Sequence, residues 1–212
     1  MRLWPPYFTG FCLSVALVSA GCSGGPPASN DKDYTQELIA FRAQKDRDFR
    51  SAADSPVPRD KVDEILPLSY FPPDPDYVAS ASLKPASERQ VIDMPTSTGE
   101  VRKEERVGVL EFNLKGQPLT LSAFVEAGSK DVNRLFVPFR DLTSGTETYQ
   151  AGRYLDLDRT PTGLYNVDFN RAYHPYCYYN SKFDCPYPPG ENRLQVPIRA
   201  GERLPPSKPT GH

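Results

Sequence analysis

Much of what would announce an enzyme is missing from this 212-residue chain. There is no G-x-S-x-G nucleophile elbow. There is no glycine-rich phosphate cradle either, so neither serine hydrolysis nor nucleotide chemistry finds its usual frame. Histidine is nearly absent: of two, one is the terminal His212, which leaves His174 as the single internal imidazole. Cysteine is scarce at four, and only Cys177 and Cys185 stand beyond the N-terminal region. The apolar run from Phe8 to Ala20 is too short to cross a bilayer as a stable helix. Positive charge is not in excess: 25 basic residues against 27 acidic ones give a net charge of −2. That balance argues against a general nucleic-acid binder and offers no polybasic patch for anionic lipid. Nothing in the sequence asks for a cofactor.

What is present first is an export signal. Arg2 precedes the short apolar run, and residues 1–21 read as a signal peptide. Ser19, Ala20 and Gly21 lead directly into Cys22, which resembles the lipobox of bacterial lipoproteins. That resemblance implies lipidation of Cys22, cleavage before it, and a membrane anchor made of acyl chains. Cleavage by an ordinary signal peptidase near Ala20 is the competing reading. Either way the expected location is the bacterial cell envelope, on the periplasmic or extracellular face. Loss of Arg2 leaves 24 basic against 27 acidic residues, a net charge near −3. Residues 22–32, with "SGGPPASN", form a flexible tether, and 204–212, "LPPSKPTGH" at their end, a disordered tail. The body at 33–203 has the size of one domain.

Within the body, "DYTQELIAFRAQKDRDFRS" (33–51) carries Tyr34, Leu38, Phe41 and Phe49 at near-helical spacing. This predicts an amphipathic helix capped by Asp33, with its stripe laid over the body. "RDKVDEIL" (59–66) predicts one or two helical turns stopped by Pro67. Beyond Pro73 the period changes to two. Strands are expected at 77–83, 107–125, 134–139, 152–157, 164–169 and 194–198, with a tight hairpin at Lys115-Gly116. Turn chemistry recurs at 96–100, 127–131, 144–148 and 160–163. The fold class that follows is mainly β: a single antiparallel barrel or sandwich with an N-terminal amphipathic helix.

From Phe139 the chain is similar to a known family. The likeness rests on Phe139, Asp141, Thr143, Gly145, Thr148, Tyr149, Gly152, Arg153 and Tyr154. It resumes at Asp168, Phe169, Asn170, Ala172, Tyr173, Pro175 and Cys177, and closes with Cys185, Pro186, Glu191, Asn192, Leu194, Ala200, Gly201 and Glu202. These residues resemble the bacterial and archaeal proteins grouped as the domain of unknown function numbered 1684. The resemblance implies a mostly β domain and, in this branch, an envelope lipoprotein. It implies no activity and no catalytic residues. Where the family commonly has Asn before the proline, this chain has His174.

The chemistry-bearing stretch is "NRAYHPYCYYNSKFDCPYPPGENRL" (170–194). His174, Cys177 and Cys185 supply three zinc-type donors, with Asp184 or water as a fourth. In an oxidising compartment the two cysteines are instead expected to form a disulfide, stabilising the fold by roughly 2–3 kcal/mol. Unlinked thiols are the third reading. Tyr173, Tyr176, Tyr178, Tyr179 and Tyr187 crowd into fifteen residues. Tyr173, Tyr176 and Tyr179, together with Arg153, are candidates for binding an envelope glycan or protein partner; packing over the end of the barrel is the plainer role. Asp141, Asp168 and Glu191 are candidates for a carboxylate hydrolase site. The structural alternative makes Asp141 a turn cap, pairs Arg153 with Asp168, and has Glu191 and Asn192 order the entry into the last strand. The sequence therefore favours a non-catalytic binding or structural module, with an envelope hydrolase second.

Overall fold

The structure, a computed structural model, describes residues 31–206. The signal peptide, Cys22, most of the tether and residues 207–212 lie outside the described residues. Helix α1 runs Asp31–Ser51. It begins two residues before Asp33, so Asp33 is not its cap; Asp31 and Asp33 stand together in the first turn, where their charge suits the helix dipole. Residues 59–61 form a short 3-10 turn that runs into α2 (Val62–Ile65), and the helical path stops ahead of Pro67 as expected.

Six strands follow: β1 (Val78–Pro95), β2 (Val101–Leu114), β3 (Gln117–Glu126), β4 (Arg134–Phe139), β5 (Arg153–Asp158) and β6 (Tyr165–Asp168). All pairings are antiparallel, in the order β5-β4-β3-β2-β1-β6. A bridge between Arg159 and Tyr165 draws the two ends of the sheet together. Of the two expected architectures, the nearly closed barrel is the one formed. Period-two alternation fills it: Ala79, Leu110, Leu121, Leu135, Leu155 and Val167, one from each strand, all lie in one buried cluster. Each such large side chain contributes roughly 1.5–3 kcal/mol on burial. At the β2–β3 hairpin both Lys115 (φ 50°) and Gly116 (φ 81°) are left-handed, the backbone that matches a tight hairpin to strand twist.

Two expectations fail here. β1 and β2 extend well beyond 77–83 and 107, because their distal halves pair with each other through mostly exposed residues that carry no sustained alternation. Residues 194–198 do not form a strand. They run extended beside the 140–142 segment, with Leu194 N–H donating to Arg140 (2.8 Å) and Leu142 N–H to Val196 (3.2 Å). Asn192, whose side chain bonds Ser122 and Pro138 at 2.7–2.9 Å, fixes their entry. Leu194 and Ile198 still bury themselves in the core, which explains the strand-like pattern.

α1 and α2 pack against the barrel through a second cluster, in which Phe49, Val57, Val62, Leu66 and Leu68 gather around Tyr179.

Candidate functional site

The carboxylates proposed for hydrolysis are each committed elsewhere. Asp141, 4% exposed, takes the Thr143 backbone (2.8 Å) and hydroxyl (2.6 Å), the Ile198 N–H (3.1 Å) and Arg153 (3.0 Å). Asp168 holds the Tyr34 hydroxyl (2.9 Å) and Arg171 (3.2 Å) and caps the turn at Asn170. Glu191 pairs with Arg106 at the surface, and of Glu191 and Asn192 it is Asn192 that orders the following segment. The three share no partner, and none lines either cavity described below. The Asp141 cap was legible in the sequence. The expected partner of Arg153 was not: Arg153 pairs with Asp141 rather than Asp168.

Arg153 is therefore not a ligand contact. Its side chain is wholly buried, donating to the carbonyls of Ile198 (2.7 Å), Glu202 (3.1 Å) and Ala200 while lying over the Phe139 ring. Burial pulls its guanidinium pKa down, and Asp141 opposes that pull.

The tyrosines fare differently. Tyr173 and Tyr176 line a cleft of about 670 Å³ between α1 and the outer face of β4 and β5. Alternation dictates this outer face. Leu155 and Leu157 point into the core, so Tyr154 and Asp156 point out, and Asp156 stands directly across from Phe136 of β4. Tyr154 donates to Pro186 (2.5 Å) and packs edge-on against Phe136 (4.8 Å) and Tyr173 (5.8 Å). Tyr173 donates to Asp156 (3.0 Å), and burial followed by the Asp156 charge drives its phenol pKa up. Tyr176, 42% exposed, meets Phe183 (5.3 Å) and Phe49 (6.0 Å). From α1 come Phe41, Lys45, Asp48 and Phe49; from β2 comes Arg102.

Charge in the cleft is mostly answered inside the fold. Lys45 lies over the Tyr173 (4.9 Å) and Phe49 (5.1 Å) rings and reaches Glu202 at 2.6 Å. Asp156 has Arg134 (3.3 Å) besides Tyr173, and Asp184 has the Thr98 hydroxyl (2.6 Å) and Arg102 (3.8 Å). Asp48, at the exposed rim, accepts from Gln44 (2.7 Å).

Tyr179 does not reach this cleft. Its hydroxyl donates to Glu202 (2.6 Å), on the wall of a smaller cavity of about 250 Å³ that also holds His174 and Tyr178. Burial pushes Glu202 upward, but Lys45 and the Tyr179 hydrogen bond help to outweigh it, and the carboxylate stays ionised. His174 is 1% exposed; its Nε2 accepts from Tyr149 N–H (3.3 Å) and its own backbone N–H donates to Glu202 (2.7 Å). Burial lowers its pKa to about 4, so the imidazole is neutral. His174 is turned to these partners, and among the described residues no group of three His, Cys, Asp or Glu side chains is placed to hold an ion.

Cys177 and Cys185 are not bridged; they are thiols in contact, with the Cys177 N–H donating to Cys185 Sγ at 3.1 Å. Sequence reasoning thus found the loop side of the cleft. It missed Lys45, Phe136, Tyr154 and Asp156, although the alternation of β4 and β5 carried the signal for the last three.

Residues 65–203 match the family described as protein of unknown function, DUF1684. The chain belongs to this family. The DUF1684 match covers the barrel and the tyrosine-rich loop, whereas α1, the other wall of the cleft, precedes it. An uncharacterized protein of Haloarcula marismortui, solved in solution by NMR, is similar at 38% identity and a TM-score of 0.64. The likeness covers 82% of this DUF1684 chain and 95% of the archaeal one. No curated protein matches.

Proposed function

We propose that this DUF1684 chain is a non-catalytic binding module of the cell envelope, anchored through lipidated Cys22, whose cleft takes an uncharged stretch of envelope glycan. The observation that carries the reading is the cleft itself: aromatic walls from α1, β4, β5 and the loop, over charges that already have partners. A sugar offers apolar C–H faces for such rings and hydroxyls for the paired acids at the edge. A strongly charged ligand would have to displace Lys45 from Glu202 or Arg134 from Asp156, losing those contacts as it bound. The absence of a nucleophile elbow and the commitment of Asp141, Asp168 and Glu191 support binding over hydrolysis.

The only tryptophan, Trp4, lies in the expected signal peptide, so tyrosine emission of the processed protein is not masked by tryptophan, and Tyr154, Tyr173 and Tyr176 of the cleft contribute to it. Titration with neutral cell-wall oligosaccharides is expected to change that emission and saturate. Tyr176→Ala, at an exposed rim position, is expected to weaken binding about tenfold, the equivalent of ~1.4 kcal/mol, with folding intact. A flat response across neutral glycans overturns the proposal.

A further inference from the structure

The two cysteines form an asymmetric pair. Cys185 is 5% exposed and rigidly held: its N–H donates to Ser97 Oγ (3.1 Å), and its carbonyl accepts from Ser97 N–H (3.0 Å). The turn joining β1 to β2 thus fixes it, and it lines the cleft beside Phe183 and Pro186. Cys177 is half-buried on the four-residue helix α3 (Tyr176–Tyr179), directly after Tyr176 of the cleft wall. A thiolate at Cys177 is favoured by hydrogen bonds, first from the Cys185 thiol and then from Ser97 and Tyr149, which outweigh burial and bring its pKa down. The same contact pushes the Cys185 thiol up, as does its burial. Cys177 is the less buried of the two and the one favoured as thiolate, while Cys185 is the buried, adjacent thiol favoured in its protonated form. That is the arrangement of an attacking and a resolving thiol, which a permanently closed structural bridge does not need.

We infer that Cys177 and Cys185 are a thiol–disulfide exchange site, taking as co-reactant a small-molecule or protein disulfide, and that the bridge they form is reversible. The Cys177 thiolate attacks one sulfur of the co-reactant; a Cys177–S bond forms, the co-reactant's S–S bond breaks, and one thiolate leaves. Cys185 then gives up its proton and attacks Cys177 Sγ, expelling the second thiolate. Two protein thiols are oxidised to one disulfide, and one disulfide is reduced to two thiols. Closing the bridge ties the 183–186 wall to the helix bearing Tyr176. The effect on ligand rests on the glycan reading above; the exchange chemistry does not.

The test uses the processed protein extracted from membranes and treated under native conditions with glutathione disulfide. In the Cys185→Ser variant, peptide mass spectrometry is expected to find glutathione on Cys177, while Cys177→Ser leaves Cys185 unmodified. Thermal unfolding of each variant establishes that it is folded. The wild type is expected to form the internal bridge and to reopen it with dithiothreitol without denaturant. Its native Cys177 alkylation rate should rise with pH, with a midpoint below that of an ordinary thiol. A bridge reducible only after unfolding, or equal alkylation of both thiols, overturns the inference. A change in glycan affinity between the two redox states then reports on the cleft separately. If exchange proceeds and no glycan binds in either state, the binding proposal fails and the exchange site stands.

Discussion

At the residue scale, single buried charges set much of the fold's behaviour. Glu104 lies on β2 opposite Glu126 of β3 and is 6% exposed. Burial raises its pKa to about 7, with Arg102 opposing and Glu126 adding like-charge repulsion. Because the folded pKa lies above the ordinary 4.5, the protonated form is the one the fold favours. Glu104 therefore supports stability most at low pH, and that contribution is lost as pH rises from about 4.5 through 7. Glu104→Gln is expected to raise stability at pH 8 by up to roughly 3 kcal/mol and to change it little at pH 4. Urea unfolding at the two pH values checks this; equal effects at both would show that burial does not perturb the carboxyl. Gly201 is decisive in another way. At φ 77° a Cβ there would meet the Ala172 and Phe169 carbonyls at 2.5–2.6 Å. Only glycine lets Ala200 and Glu202 both turn their carbonyls to Arg153.

At the element scale, α1 is held more by polar contacts than by apolar area. Only Leu38 and Phe49 of its apolar side chains are fully buried. Tyr34 to Asp168, Arg42 to the Phe71 carbonyl (2.9 Å) and Lys45 to Glu202 do the rest. Lys45→Met leaves Glu202 buried without its cation, a loss of roughly 3–5 kcal/mol. Glu202 is held below its usual pKa in the wild type, so its contribution exists above the unfolded value and disappears on acidification. The variant's deficit is thus expected to be large at pH 7 and to shrink near pH 4, read by thermal unfolding. A pH-independent deficit would point to lost packing alone. The helix itself was legible from Tyr34, Leu38 and Phe49, whose spacing is a local property of the chain. Its role as a cleft wall was not, because what Lys45 touches depends on where residue 202 arrives. The same distinction covers the strands. β3 to β6 announced themselves through apolar runs and alternation, while the distal β1–β2 ribbon buries only scattered residues such as Met94 and Glu104 and leaves Val91 and Val101 more than half exposed.

At the scale of the whole molecule, the loop 170–194 illustrates how far sequence carries function. Its crowded tyrosines marked a surface, and Tyr173 and Tyr176 do face a cleft, yet Tyr179 turns inward and Arg153 braces the core. Alternation alone could not separate these fates, since loop residues have no period and their direction is set by distant partners. The proposed anchor acts at this scale too. Replacing Cys22→Ala is expected to move the protein from the membrane fraction to the soluble one, as fractionation with lipid mass spectrometry would detect. Continued membrane retention without lipid would overturn the anchor.

The contact between Lys45 and Glu202 has one further consequence. Lys45 lines the large cleft and Glu202 the small one, so these two side chains are a partition between neighbouring chambers. An occupant that draws Lys45 away on one side leaves Glu202 without its cation on the other, held only by the Tyr179 hydroxyl and the His174 N–H.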